Sequence, residues 1–175
     1  MSDDEEFKEP PVEQQLKKVE VMLNDCATTR SPNSQRTYLL MIKDTIKDTP
    51  PCWTFVGMSD DVSELRFTLT GAEPPYDNRV FNVTVTYSGV TRKNFPFGIL
   101  PSIHFEDQVY HCNIDEHGFM RFIDESSAST KLNHILGNVL CNLSNPDPDC
   151  LTNENACLTF MTDRDLYDAL AVEVD

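Results

Sequence analysis

The chain has 175 residues, of which 39% are hydrophobic and 25% charged, a composition typical of one soluble globular domain. Its formal net charge of −15 argues against nucleic-acid binding, because phosphate contacts require clustered Lys and Arg. The sequence contains no run of about 18 apolar residues, so no membrane span is predicted. The acidic N-terminus, MSDDEEFKEPP, is unlike a secretory signal.

We therefore expect a cytoplasmic or nuclear protein whose six cysteines are reduced thiols rather than a disulfide framework. We expect no cofactor, no nucleic acid and no membrane among its ligands. A soluble acidic surface is the simplest explanation of the charge, and attraction to a basic partner is the sharper alternative.

The N-terminal third predicts a tail followed by a short helix. Met1–Pro11 is expected to be disordered, because it combines a block of charges with two prolines and little apolar surface. The stretch VEQQLKKVEVMLND predicts a helix with Leu16, Val19 and Leu23 on one stripe. TTRSPNS then has the composition of a linker.

A longer helix is predicted to begin near Asn33 or Ser34, residue types that cap helices, and to stop at Pro50 and Pro51. One face of this helix is apolar and carries Leu39, Ile42 and Ile46.

The middle of the chain changes to a two-residue period, which is typical of half-buried strands. In ELRFTLTG the apolar positions are Leu65, Phe67 and Leu69, and in RVFNVTVTY they are Phe81, Val83, Val85 and Tyr87. CWTFVG and SIHFE are weaker strand candidates. Together the four segments predict an antiparallel meander with proline-rich turns.

The last third returns to helical spacing. KLNHILGNVLCNLS has apolar residues at i, i+3, i+4 and i+7, which predicts a central helix, and we expect Leu136 and Leu140 to be among its most buried residues. Two short helices should follow, the last around DRDLYDALAVEV. The order helix, four strands, irregular segment, helices indicates an α+β fold.

Five segments occur in an order known from one enzyme family. GAEPPYDNRVF resembles a turn before PYxGGxF, FPFGILPSIHF resembles YPFxPPxxxF, and VYHCNIDEHG resembles IYHPNIxxxG. LSNPDPDCLTNENA resembles PNPDDPLNxEAA, and MTDRDLYDALA resembles a closing helix. In this order they make Arg36–Val172 similar to the ubiquitin-conjugating enzyme family. The resemblance assigns residues 34–175 to a domain of this kind and leaves 1–33 as an acidic, partly disordered extension.

The resemblance implies a helix, a four-stranded meander and three further helices. It also implies a catalytic cysteine in the irregular segment after the fourth strand. That cysteine accepts ubiquitin from the activating enzyme as a thioester and passes it to a lysine, usually on a ligase. The reaction needs a thiolate, which is both a soft nucleophile and a good leaving group.

Arg121 occupies the position of that cysteine, whether it is counted from His111 or from Gly118. A guanidinium stays protonated and has no free lone pair with which to attack a carbonyl. Other departures follow. Cys112 replaces the proline of HPN, Asp77–Arg79 replaces a glycine pair, and DESSASTKLN lacks the usual tryptophan and proline.

The resemblance also implies surfaces for partners. Arg36 and Lys43, with Lys47, lie on the helix that docks onto the activating enzyme in the family. Phe97 persists in the loop that contacts ligases, although Gly98–Leu100 lengthen that loop.

Two matching residues have a catalytic and a structural interpretation. Asn113 matches an asparagine that stabilises the oxyanion during transfer, but a turn-stabilising hydrogen bond explains it better without a nucleophile. Asp149 falls near an acidic position that helps deprotonate the incoming lysine, and ordinary turn chemistry beside Pro148 is again the preferred explanation.

Cys112 is an alternative nucleophile, which His111, Asn113 and His117 would tune, although a cysteine is more often a small apolar residue. A zinc site from His104, His111, Cys112 and His117 is disfavoured because the spacing contains no compact ligand pair. The other candidates, Cys141, Cys150 and Cys157, are expected to be unpaired. We expect His111 to be a buried turn anchor.

The hypothesis from sequence is thus a catalytically silent relative of the conjugating enzymes. It would bind ubiquitin, a ubiquitin-like protein, a partner conjugating enzyme or a ligase. The alternative is an active conjugating enzyme that uses Cys112.

Overall fold

A computed structural model describes residues 8–28, 33–88, 100–121 and 131–173. Two helices precede a sheet, and three helices follow it, as the α+β prediction requires. The elements are α1 (Val12–Thr28), α2 (Asn33–Lys47), β1 (Trp53–Met58), β2 (Glu64–Thr70), β3 (Val80–Thr86), β4 (Ser102–Phe105), β5 (Phe119–Met120), α3 (Leu132–Ser144), α4 (Glu154–Thr162) and α5 (Arg164–Glu173).

The strands form one antiparallel sheet in the order β1-β2-β3-β4-β5. The predicted four-stranded meander is confirmed, and β5 adds a fifth strand of two residues. Phe67 lies opposite Phe55 and Val83 in the register, and all three side chains are buried. The two-residue alternation therefore identified the core face of the sheet correctly.

Helices α2 and α3 contribute to the core through one face each. Leu39, Ile42 and Ile46 of α2 are buried, as predicted. Leu136 is fully buried in α3, and its carbonyl accepts a hydrogen bond of 2.9 Å from the Trp53 indole. The expectation for Leu140 was wrong, because this side chain is only partly buried. The buried stripe of α3 continues through Val139 and Leu143 instead.

The predicted helix in the N-terminal extension exists as α1 and packs against α2 and β1. Val19 is fully buried there, and the Gln15 amide donates a hydrogen bond of 2.9 Å to the Val56 carbonyl of the edge strand. Disorder was expected for Met1–Pro11, and residues 1–7 of this stretch lie outside the described part of the chain. Glu9, which is described, pairs with Arg66 at 2.6 Å.

None of the helices in the described ranges is long and apolar enough to cross a membrane.

Candidate functional site

The segment between β4 and β5 contains a turn that positions Arg121. The Asp115 carboxylate accepts hydrogen bonds from the backbone N–H groups of His117 (2.9 Å) and Phe119 (3.0 Å). Gly118 has φ +92°, a conformation that favours glycine. The chain then enters β5, and the backbone N–H of Arg121 donates to the Asn113 carbonyl at 2.8 Å. The backbone N–H of position 121 is therefore bound within this segment.

His111 is completely buried and acts as the anchor of this segment, as predicted. Its Nδ1 accepts a hydrogen bond of 2.9 Å from the backbone N–H of Asn113. The proton therefore resides on Nε2, which donates to the carbonyls of Asn142 (3.0 Å) and Leu143 (3.2 Å) at the end of α3. Burial lowers the pKa of His111 to about 4, so the ring is neutral near pH 7.

The side chain of Asn113 is buried and joins two loops. Its Nδ2 donates to the carbonyls of Asp147 (2.8 Å) and Cys150 (2.9 Å), and its Oδ1 accepts from the backbone N–H of Asp147 (2.8 Å). Both amide protons are thus committed to backbone carbonyls. The geometry agrees with the structural interpretation of Asn113, because no N–H of this amide is left to face a developing oxyanion.

Arg121 directs its guanidinium outward. The side chain is 71% exposed, and its nearest carboxylate is that of Asp115, with Nε and Oδ2 separated by 3.9 Å. Such an exposed pair contributes little to stability. The carbonyl of Arg121 lies 3.6 Å from the thiol of Cys150, which is partly exposed. Cys150 thus brings a free thiol beside position 121, which the sequence order did not indicate.

The expectation that all six cysteines are free was wrong for one pair. Cys112 and Cys157 form a disulfide, with their Cα atoms 4.4 Å apart, and both residues are buried. The buried face of α4 carries Cys157 against the segment that contains Cys112, a contact between residues 45 positions apart. The other four cysteines, Cys26, Cys52, Cys141 and Cys150, are free.

The other histidines of the segment are engaged in local contacts. His104 Nδ1 lies 2.9 Å from a Glu106 carboxylate oxygen, and its Nε2 donates to the His117 carbonyl at 2.8 Å. Partial burial lowers the pKa of His104, but the bonds to Glu106 and His117 outweigh it and raise the pKa overall. Within the described ranges, no group of three or more His, Cys, Asp or Glu side chains is arranged to hold a metal ion.

A cleft of about 510 Å³ adjoins the turn on the side of β4. Glu106, Asp107, Asp115 and Glu116 lie on its wall, together with His104. Its lining does not include Arg121 or the neighbouring Cys150. Asp115 on this wall is the carboxylate nearest to Arg121, so the cleft adjoins the surroundings of position 121.

The family model for ubiquitin-conjugating enzymes matches residues 41–175, about three quarters of the chain. The chain belongs to the ubiquitin-conjugating enzyme family. The match includes the whole sheet, the segment with Arg121 and helices α3 to α5, whereas α1 precedes it. Members of this family interact with ubiquitin and with ligases.

The remaining described candidate residues of this family member lie in the loop after α3 and on α2. Asp149 is exposed in the loop held by Asn113, where its backbone N–H donates to the Asp147 carboxylate at 3.0 Å. Arg36 is exposed on α2, while Lys43 is paired with Glu20 of α1 at 3.6 Å. Phe97 lies outside the described residues.

Proposed function

We propose that this member of the ubiquitin-conjugating enzyme family is catalytically silent and acts by binding. Its ligands would be ubiquitin or a ubiquitin-like protein, or a partner conjugating enzyme or ligase of the same pathway, in the cytoplasm or nucleus. The observation that carries the proposal is Arg121, an exposed guanidinium at the end of β5 where the family places its nucleophile.

The chemistry of transfer supports this proposal. A thioester forms when a thiolate attacks the activated carboxyl group of ubiquitin, and a protonated guanidinium has no lone pair for that attack. The side chain of Asn113 adds to the argument, because its amide is bound to Asp147 and Cys150. Both the nucleophile and the free amide that would assist it are missing from this arrangement.

Cys112 is a poor substitute for the missing nucleophile. Its side chain is fully buried, and its sulfur is bonded to that of Cys157. A disulfide sulfur cannot act as a thiolate, and the reduced thiol would still be covered by its neighbours. The burial of Cys112 thus counts against an active enzyme that uses this residue.

A charging assay tests the silent active position. The chain is incubated with activating enzyme, ATP and ubiquitin, and reducible adducts are sought on non-reducing gels. We expect none from the natural chain. The variant Arg121→Cys tests whether only the nucleophile was lost. We expect weak charging at most, because docking onto the activating enzyme needs basic residues on α2, where Lys43 is already paired and few others lie.

An adduct on the natural chain would contradict the proposal, and two variants would identify its origin. Loss of the adduct in Cys112→Ser would establish the alternative enzyme. Loss in Cys150→Ser, with Cys141→Ser as the exposed-thiol control, would assign the reaction to the thiol beside Arg121.

The binding part needs its own measurement. We expect ubiquitin to shift a contiguous set of amide signals in a heteronuclear NMR titration of the labelled chain, whereas an unrelated protein of similar size should not. If neither ubiquitin, nor a ubiquitin-like protein, nor a conjugating enzyme or ligase of the pathway shifts any signal, the binding role is refuted.

A further inference from the structure

Helix α4 has an apolar face that the described part of the chain leaves exposed. Leu158 and Met161 are 62% and 63% exposed, and their spacing of three residues places them side by side on the helix. Leu151, in the loop just before the helix, is 65% exposed as well. Ala156, on the opposite side of the helix, is buried, and so is Cys157 at the edge of the exposed face. The apolar side chains on the exposed face of α4 therefore do not contribute to the core.

The surroundings of this face are strongly acidic. Residues 145–175 contain eight Asp and Glu residues and a single basic one, Arg164, which gives a net charge of −7. Arg164 is already engaged, because its Nε lies 3.3 Å from the Asp168 carboxylate and its guanidinium stacks on the Phe160 ring at 4.2 Å. The exposed acidic residues near the apolar face in the chain are Asp149, Glu154, Asp163 and Asp165.

We propose that this face of α4, defined by Leu158 and Met161, docks a basic amphipathic helix of a partner protein. An apolar stripe on such a helix would cover the two side chains, and flanking Lys or Arg residues would meet the carboxylates around them. A second copy of this chain fits poorly, because two acidic surfaces would face each other. The face does not include Arg121, and the proposal holds whether or not the protein is an enzyme.

Peptide binding tests the proposal directly. The probe is a fluorescent synthetic helix of leucine and lysine, about 18 residues long, and its matched control replaces every lysine with glutamate. Fluorescence anisotropy at about 0.15 M salt should detect binding of the basic peptide, with the acidic peptide at least about tenfold weaker. Equal affinity for the two peptides, or no binding of the basic one, would overturn the proposal.

Substitutions then locate the binding surface. Leu158→Ser with Met161→Ser should weaken binding of the basic peptide about tenfold, whereas Val21→Ser, which removes an equally exposed apolar residue from α1, should not. Because the side chains of Leu158, Met161 and Val21 are exposed, these variants should fold, and circular dichroism checks that they do. An effect of Val21→Ser as large as that of the double variant would show non-specific apolar binding.

Charge reversal provides the second control. Glu154→Lys on α4 should weaken binding several-fold, and Glu13→Lys on α1 should have little effect, because charges more than about 8 Å apart are screened at this salt concentration. Equal effects would mean that only the net charge matters, which contradicts a local site. Light scattering covers the remaining outcome: a dimer that the double serine variant dissociates would assign the face to a second copy and overturn the proposal.

Discussion

Acidification should destabilise the fold through one buried side chain, His111. The folded chain holds this ring neutral, because Nδ1 accepts the Asn113 N–H and Nε2 donates to two carbonyls of α3. A second proton on Nδ1 would face that N–H, and the charge would have no water around it. The pKa of about 4 in the folded chain is therefore below the usual value near 6.5 of an unfolded chain.

The sign follows from the number of protons that each state binds. Between about pH 6.5 and pH 4 the unfolded chain binds more protons at His111, so stability falls as the pH falls. The stability that depends on the neutral His111 ring is fully present above about pH 6.5 and is lost progressively as the pH falls toward 4. From pH 7 to pH 4.5 the two pKa values give a loss of roughly 2.5 kcal/mol in the free energy of unfolding.

Urea unfolding followed by the fluorescence of Trp53, the single tryptophan, measures this loss. His111→Gln should be less stable at pH 7, and the gap between it and the natural chain should shrink by roughly 2.5 kcal/mol at pH 4.5. His134→Gln, which removes an exposed histidine of α3, should keep the full pH dependence. Parallel losses in the natural chain and His111→Gln would refute the reasoning. So would an NMR titration that gives His111 a pKa near 6.5.

Two further substitutions test the core and the site. Leu136→Ala should lower the free energy of unfolding by about 2–5 kcal/mol, because it leaves a cavity beside the buried stripe of α3, whereas Leu140→Ala should lower it clearly less. Denaturant unfolding measures both variants, and equal losses would contradict the difference in burial. Asn113→Ala should cost about 2–4 kcal/mol in the same assay, because it removes three hydrogen bonds, including the one that the backbone N–H of Asp147 donates. A loss below about 1 kcal/mol would show that Asn113 does not hold its loop.

Most of the fold could be predicted from apolar periodicity. The alternation in β2 and β3 and the spacing in α2 follow from which side chains face the core. The predictions of those elements and of their buried faces were therefore confirmed. Strand β5 has two residues, too short for any period to show. Leu140 was misassigned because the apolar arc of α3 is wider than its buried stripe, and only the packing of neighbouring elements decides which edge is covered.

The candidate site was predictable only where it follows the chain locally. The assignment of position 121 stays a prediction, and it depends only on the length of the continuous segment from His111 through Gly118. The pairing of Cys112 with Cys157 and the approach of Cys150 to Arg121 depend on how the loop after α3 and helix α4 fold back onto that turn. No local spacing encodes such contacts, so the sequence left these three cysteines without neighbours.

The hydrogen bonds of the site give His111 and Asn113 a structural role that does not depend on catalysis. His111 ties the turn to the end of α3, and Asn113 ties it to the loop at Asp147. Removing either side chain would break hydrogen bonds that join these elements, which costs stability whether or not the protein catalyses anything. Arg121 is different, because its side chain is exposed and only its backbone joins the network. The fold therefore constrains His111 and Asn113 but leaves the side chain at position 121 free to change, so the presence of the first two is no argument for activity.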